Sequence, residues 1–377
     1  MDFHHIIFDG TSMHIFLEDV DRAYRGETVD NEPFSGFDVD IQEQADRDTD
    51  LYVKAKDWYI DNFGTVEEMS LPIADRNIGG TSFGLNDIVM NVKSEDIIAF
   101  AASNNVTPNI VATAAFGKLL CAYSYTQDAS FATIYNGRKD MRTARTISML
   151  VKTLPVHSVM SDGMTVREYL NNSKMQLMGA MANDIFSFAE LASLINYSSD
   201  VLFVWQGDMA RMPAISDAIL IKEQLDFNAT GEKLCIQVNN LPDGLHLSAQ
   251  YHSNLYSEEF ITRLMKAYET VLKEMMVRTC IDDVRLVDEE GEKHLDSFNK
   301  KEDTVGNCHR HIGFRLWLNV LGAVHPQQFI AIVCGGVFKF LLIHGKNLLY
   351  ERIQNSVCRK TKILDNSDIR CYNEYHA

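Results

Sequence analysis

The sequence predicts an α/β layered fold with a mixed sheet, on three observations. Segments with strand alternation and segments with 3.6-residue apolar spacing interleave between about residues 86 and 290. A hairpin signal at Pro242-Asp243-Gly244 requires an antiparallel pair, while helices returning between strands allow parallel ones. No internal repeat occurs at a fixed period.

Residues 4–10 sit on a strand-to-helix turn. Directly after Gly10, Thr11 or Ser12 can cap a helix whose apolar positions Ile15, Phe16, Val20 and Tyr24 recur at helical spacing up to Gly26. Residues 38–50 are rich in Asp and Gln, and 51–63 suit another helix. Leu71-Pro72 through Gly79-Gly80 marks a linker and a candidate boundary.

A strand at 87–92 comes next, then a helix capped by Ser94 with Glu95 and Asp96 in its first turn, then one with Thr107 as cap and Pro108 at its first position. Strands are expected at 129–135 and 150–159, and helices at 166–181 and 187–195. Further strands at 200–206 and 219–227 precede the hairpin strands 233–239 and 244–251. A helix over 257–276 ends the body, with Phe260, Leu264, Tyr268 and Leu272 four residues apart.

At 377 residues and 46% hydrophobic content, the chain can bury a substantial core. A net charge of -17 argues against nucleic acid as a partner, because phosphate binding needs clustered Lys and Arg. The charge is unevenly spread. Asp and Glu outnumber Lys and Arg 46 to 25 up to residue 300, whereas Lys and Arg lead ten to six after it.

Four of the seven cysteines, Cys308, Cys334, Cys358 and Cys371, lie in that tail, at spacings that fit neither a zinc site nor a disulfide framework. They read as reduced thiols. With no charged-then-apolar leader, a cytoplasmic location is expected. The membrane-like stretch 329–344 is shorter than a span of about 20 residues and contains Lys339, so no membrane is expected as a partner.

The chemistry concentrates at His4-His5-Ile6-Ile7-Phe8-Asp9-Gly10. On a strand, neighbouring side chains face opposite ways, so His4 and His5 cannot share one site or chelate one metal. A neutral imidazole near pH 7 can take a proton or hydrogen bond from an amine attacking an acyl group. Asp9 is better suited to shaping the site than to acting as base. The residues alone also allow a core histidine pair ending a strand, with Asp9-Gly10 as ordinary turn chemistry.

This stretch resembles the HHxxxDG motif of condensation domains of nonribosomal peptide synthetases, in the chloramphenicol acetyltransferase-like superfamily. Asn136-Gly137-Arg138 is similar to the family's Gly-Arg segment, and Ser148 to Pro155 to its FVNTLP-type segment, with Lys152 where Asn is usual. Ala182-Asn183-Asp184 with Phe188-Ala189-Glu190-Leu191 resembles the HQDYPFEKL segment without its His and Pro. Val201 to Gln206 resembles a late strand ending in Gln. Residues 281–288 with Phe298-Asn299-Lys300 are similar to the linker into an adenylation domain.

The resemblance implies a two-layer chloramphenicol acetyltransferase-like sandwich with a mixed sheet, as a C-terminal lobe plus the remnant of an N-terminal lobe. Expected boundaries are 1–65 for the remnant carrying the motif, 66–85 for a linker, 86–290 for the C-terminal lobe and 291–304 for the condensation-to-adenylation linker. The tail, 305–377, is expected to be a reading-frame product with no fold of its own.

The implied activity is acyl transfer that forms an amide bond between carrier-bound thioesters, with His5 catalytic. His4, Asp9, Gly10 and Arg138 are structural at the active site, Asp9 pairing with Arg138 to hold the turn and Gly10 letting backbone approach the acyl group. No cofactor or metal is expected to bind directly, since phosphopantetheine belongs to the carrier proteins. These and an adjacent adenylation domain are the expected partners.

Beginning three residues before the motif, the chain is expected to be inactive as an isolated fragment. The alternatives are a stand-alone acyltransferase, an epimerisation domain, or a non-catalytic fragment that binds carrier proteins. The first His of the pair speaks against the cyclisation variant, which has Asp there.

Overall fold

The computed structural model describes residues 3–66, 70–195, 200–216 and 231–287 with Gly291 and Lys293, and the backbone of 329–334, 337–344, 347–354 and 357–364. The strand expected at 219–227 and the linker pattern at Phe298-Asn299-Lys300 lie outside the described residues.

Three helices come first: α1 (Gly10–Tyr24), α2 (Gly36–Arg47) and α3 (Asp50–Phe63). Strand β1 (Phe83–Val89), helices α4 (Ser94–Ser103) and α5 (Pro108–Ser124), and strands β2 (Asp128–Tyr135) and β3 (Lys152–Val159) follow. Then come α6 (Val166–Ala182), α7 (Phe188–Ile195), β4 (Val201–Gly207), β5 (Leu234–Leu241), β6 (Gly244–His252) and α8 (Glu258–Val277).

Several boundaries have local causes that the sequence displays. Thr107 accepts a hydrogen bond from Ile110 N, with Pro108 at the first helical position of α5. Thr165 and Glu168 form a reciprocal capping box at the start of α6. Ser257 caps α8 through Phe260 N. The helix expected to be capped by Ser94 starts one residue earlier than that, with Lys93 at the cap position and no side-chain cap bond.

The six-stranded sheet has the order β1-β6-β5-β4-β2-β3. Strand β4 pairs in parallel with both β2 and β5, and the remaining pairs are antiparallel. The register couples Leu241 to Gly244, so Pro242-Asp243 forms a two-residue hairpin loop. The mixed sheet thus combines the antiparallel pair that the hairpin requires with parallel pairs that the returning helices allow.

One face of the sheet carries the core. Helix α5 is apolar nearly all round, from Ile110 to Tyr123, because α4, α6, α8 and the sheet enclose it. Phe116 stacks on Phe203 of β4 at 4.7 Å and meets Phe131 of β2 edge-on at 5.1 Å. On the other face, α7 covers Ala132 and Leu202 with Phe188 and Ile195. Helix α3 packs Ala55, Tyr59 and Phe63 on Leu154, Ala180, Phe186 and Leu191.

The segment read as a linker is hydrogen-bonded along the body. Arg76 N and Ile78 N donate to Leu255 O and Asn254 O, each at 3.0 Å, and Tyr256 Oη donates to Pro72 O at 2.7 Å.

Residues 310–377 form a second compact unit, in which β7 (Phe329–Cys334), β8 (Val337–His344), β9 (Asn347–Gln354) and β10 (Val357–Leu364) make an antiparallel meander. The dipeptides separating the strands in sequence, Gly335-Gly336, Gly345-Lys346 and Asn355-Ser356, are turn-forming pairs flanked by short strand-compatible runs. No helix among the described residues is long and apolar enough to cross a membrane.

Edge strand β1 is held by a charged contact as well as by its ladder. His246 on β6 shares its ring hydrogens between Asp87 of β1, at 2.8 Å from Nδ1, and Asp243 of the hairpin, at 3.0 Å from Nε2. Partial burial alone would lower the imidazole pKa, but Asp87 and Asp243 outweigh it and hold it above the ordinary value. A raised folded pKa contributes stability that is complete below the unfolded pKa of about 6.5 and is lost as pH rises through the folded value. The stability difference between wild type and His246→Gln, measured by urea unfolding, should therefore shrink between pH 6 and 8. A difference independent of pH would show that the imidazolium is not the group that holds the strand.

Candidate active site

The motif turn is built from its backbone outward. His4 is extended, and His5–Ile7 form one 3-10 turn rather than the strand expected there. The strand-face argument separating His4 from His5 therefore does not apply. Their separation rests on a hydrogen bond instead: His4 Nδ1 accepts from Ile6 N at 3.2 Å, capping the turn and placing the His4 proton on Nε2. His5 is exposed, within the turn. Phe8 is buried, stacked on Phe3 at 4.1 Å and edge-on to Phe16 of α1, which fixes the turn against the helix.

Asp9, not Thr11 or Ser12, caps α1. Its Oδ1 accepts from Ser12 N at 2.8 Å, in the N-cap geometry that satisfies an orphan donor of the first turn. Asp9 also makes a bidentate pair with Arg138, from Nη1 to Oδ2 at 2.9 Å and from Nη2 to Oδ1 at 3.1 Å. The Asp9 side chain is fully buried and that of Arg138 only 4% exposed. Leu150 N donates to Asp9 Oδ2 at 3.0 Å, so backbone and guanidinium donors share the carboxylate.

Burial by itself would raise the Asp9 pKa. The Arg138 guanidinium and the Ser12 and Leu150 N–H groups outweigh it, leaving the carboxyl below its ordinary value. Asp9 is consequently an anion at neutral pH, suited to holding rather than accepting a proton. Arg138 is further tied to Thr146 O at 2.8 Å and Asn136 O at 3.1 Å, although its Nε has no partner.

Local backbone brings Arg138 there. Gly137, at φ +68°, has the left-handed conformation that favours glycine, and an added Cβ would fall on Leu150 O. Ser12 Oγ donates to Ser148 O at 2.8 Å and accepts from Ser148 N at 3.0 Å, stitching α1 to the segment before β3. Arg145 reaches Glu18 and Asp19 on α1, and Ile147 N reaches Glu32. A Cβ at Gly10 would meet nothing within 4 Å, so the start of α1 beyond the turn is open.

The structure thus brings Asp9, Arg138 and Gly10 to one turn, with His4 as its cap and His5 exposed on it. Sequence reasoning missed Ser148 and the Leu150 N–H as partners. No local signal could have found them, because their hydrogen bonds span more than a hundred residues. The segment around Asp184 and Glu190 lies close by: Glu190 accepts a bidentate pair from Arg47 of α2 and a bond from Tyr52 Oη of α3. Lys152, standing where Asn is usual, pairs with Glu43. Among the described residues no group of three or more His, Cys, Asp or Glu side chains could hold a metal ion.

The family model described as Condensation domain matches residues 1–295. Bacitracin synthase 1 from Bacillus licheniformis is 25% identical over 296 residues, covering 72% of this chain and 5% of that protein. Tyrocidine synthase 2 from Brevibacillus parabrevis is 23% identical over 291 residues, covering 74% of this chain and 8% of that protein. The chain therefore spans under a tenth of these relatives. Among solved structures, the first condensation domain of the calcium-dependent antibiotic synthetase superposes with a TM-score of 0.59 at 18% identity, over 76% of this chain and 66% of that one. The condensation domain of the monacolin K polyketide synthase gives 0.63 at 14%, over 76% and 70%. These likenesses show the two-layer sandwich fold.

Breaking the buried pair leaves one charge without its partner, which costs about 3–5 kcal/mol. Asp9→Asn keeps a capping side chain but not the charge, and Arg138→Met keeps bulk but not the charge. Each single substitution should lower unfolding stability by about that amount, and the double substitution by clearly less than their sum. Additive losses in chemical denaturation would show that the two side chains do not act as a pair.

Proposed function

Because the chain belongs to the condensation domain family, we propose that it forms an amide bond between substrates carried as thioesters on two carrier proteins. The amine of the acceptor aminoacyl thioester attacks the donor thioester carbonyl. The new N–C bond forms, the C–S bond breaks, and the proton lost by the amine ends on the departing thiol. The observation that carries this reading is the motif turn itself, an exposed His5 four residues ahead of a helix cap that a buried ion pair holds in place.

In this reading His5 accepts the hydrogen bond, and then the proton, of the attacking amine, and afterwards returns it to the thiol. His4 holds the turn, Asp9 and Arg138 anchor it, and Gly10 leaves room for the acyl group beside the start of α1. The chain itself binds no cofactor. Phosphopantetheine arrives on the carrier proteins, which together with an adenylation domain of the same synthetase are the proposed partners in the cytoplasm.

The test uses the chain and also a chimera in which residues 1–295 replace the matching stretch of bacitracin synthase 1. Each is mixed with donor and acceptor carrier proteins loaded with amino acids, and dipeptide is measured by mass spectrometry in a single turnover. His5→Ala should slow formation by roughly 10²–10⁴-fold. His4→Ala removes only a cap hydrogen bond of about 1 kcal/mol and should act more mildly. Product formation that ignores His5→Ala, or its absence from both proteins, would reject the reading.

A further inference from the structure

Asp184 has a role that the motif turn by itself does not explain. It lies between α6 and α7, and its side chain is only 1% exposed. A buried carboxylate needs a compensating charge, because ionised oxygens are costly to remove from water. Two ammonium groups supply it: Lys139 Nζ pairs with Oδ1, and Lys152 Nζ lies 3.8 Å from Oδ2. Neither carboxylate oxygen receives a well-directed hydrogen bond. The compensation is therefore charge attraction rather than bond direction. The negative charge also reaches Tyr59 and Tyr135, whose phenols burial first, and Asp184 second, push above the ordinary value.

Lys139 directly follows Arg138. One residue sends its guanidinium to Asp9 and the next sends its ammonium to Asp184, so two buried carboxylates grip consecutive residues of one loop. Asp9 is reached from α1, and Asp184 from the end of α6. Gly137 lies against Leu150 O immediately before them, which removes local freedom on the other side.

We propose that Asp184 is a positioning residue for the reaction. By drawing Lys139 to a buried carboxylate, it fixes the chain beyond Arg138, and so sets where Arg138 holds Asp9 and the His5 turn ahead of it. Lys152 joins the same carboxylate to Glu43 of α2, which keeps the cluster balanced at two anions and two cations. The effect on rate rests on the condensation reading above. The effect on the turn does not.

The experiment reads both. In chain labelled with ¹³C-histidine, the His5 Cε1–H resonance is assigned by its loss in His5→Gln. Asp184→Asn removes the charge that attracts both lysines. Lys139→Ala removes a half-exposed side chain and keeps the proposal testable where the Asp184 variant does not fold. Each should move the His5 resonance, and each should lower the single-turnover rate in the chimera by about 10–100-fold with little change in KM, as expected when a reacting group is misplaced. Lys139→Arg should restore both. Lys273→Ala, which breaks an ion pair with Glu269 on α8, should change neither.

A folded Lys139→Ala variant whose His5 resonance stays in place would overturn the proposal, even if its thermal stability fell. Because the resonance is read without substrate, a wild type that forms no dipeptide would reject the condensation reading and leave this result standing.

Discussion

The bidentate pair between Asp9 and Arg138 is the constraint from which the arrangement around the motif follows. Both side chains are buried, so neither can lose its partner to water. One carboxylate acts as cap for α1, counterion for Arg138 and acceptor for the Leu150 N–H. The orientation of α1, the path of the loop before β3 and the left-handed residue Gly137 are then aspects of a single packing solution. The lowered pKa of Asp9 is its electrostatic signature, since donors outweigh burial.

The sheet makes that solution rigid. Arg138 follows directly from the end of β2, which is paired on both sides, by β3 and by β4. Helix α5 presses a largely apolar surface on this part of the sheet, and α7 closes the opposite face over Ala132 and Leu202. Helices α2 and α3 are brought to the same region by Arg47 and Tyr52 converging on Glu190. Burial would raise the pKa of that carboxyl, but Arg47, Ser187 and Tyr52 hold it down at about 2. The exposed His5 contrasts with all of this: it sits on a turn whose supports are buried and already paired.

How much of this was readable beforehand differs by feature. The cap at Thr107, the Pro108 start and the hairpin at Pro242-Asp243 are signals within four residues, and the structure keeps each of them, whereas the cap expected at Ser94 falls on Lys93 without a side-chain bond. The motif and the family it resembles were equally visible, because residue types at fixed spacing survive where overall identity has dropped to 25%. The cap of α1 was misplaced at Thr11 or Ser12 because all three residue types suit an N-cap. What selects Asp9 is Arg138, 129 residues away. The motif is expected on a strand-to-helix turn, yet a strand requires a neighbour to satisfy its backbone, and the six-stranded sheet includes none of residues 4–8.

By itself, then, the sequence determined the interleaved elements, most helix starts, the antiparallel hairpin and the family motif at residues 4–10. Only the tertiary structure decided the strand order, the 3-10 form of the histidine turn, the use of Asp9 as cap and the capture of Lys139 and Lys152 by Asp184. The reason is range. Propensity and capping act within a turn of chain, whereas a buried charge accepts whichever opposite charge the packed sheet and helices bring beside it.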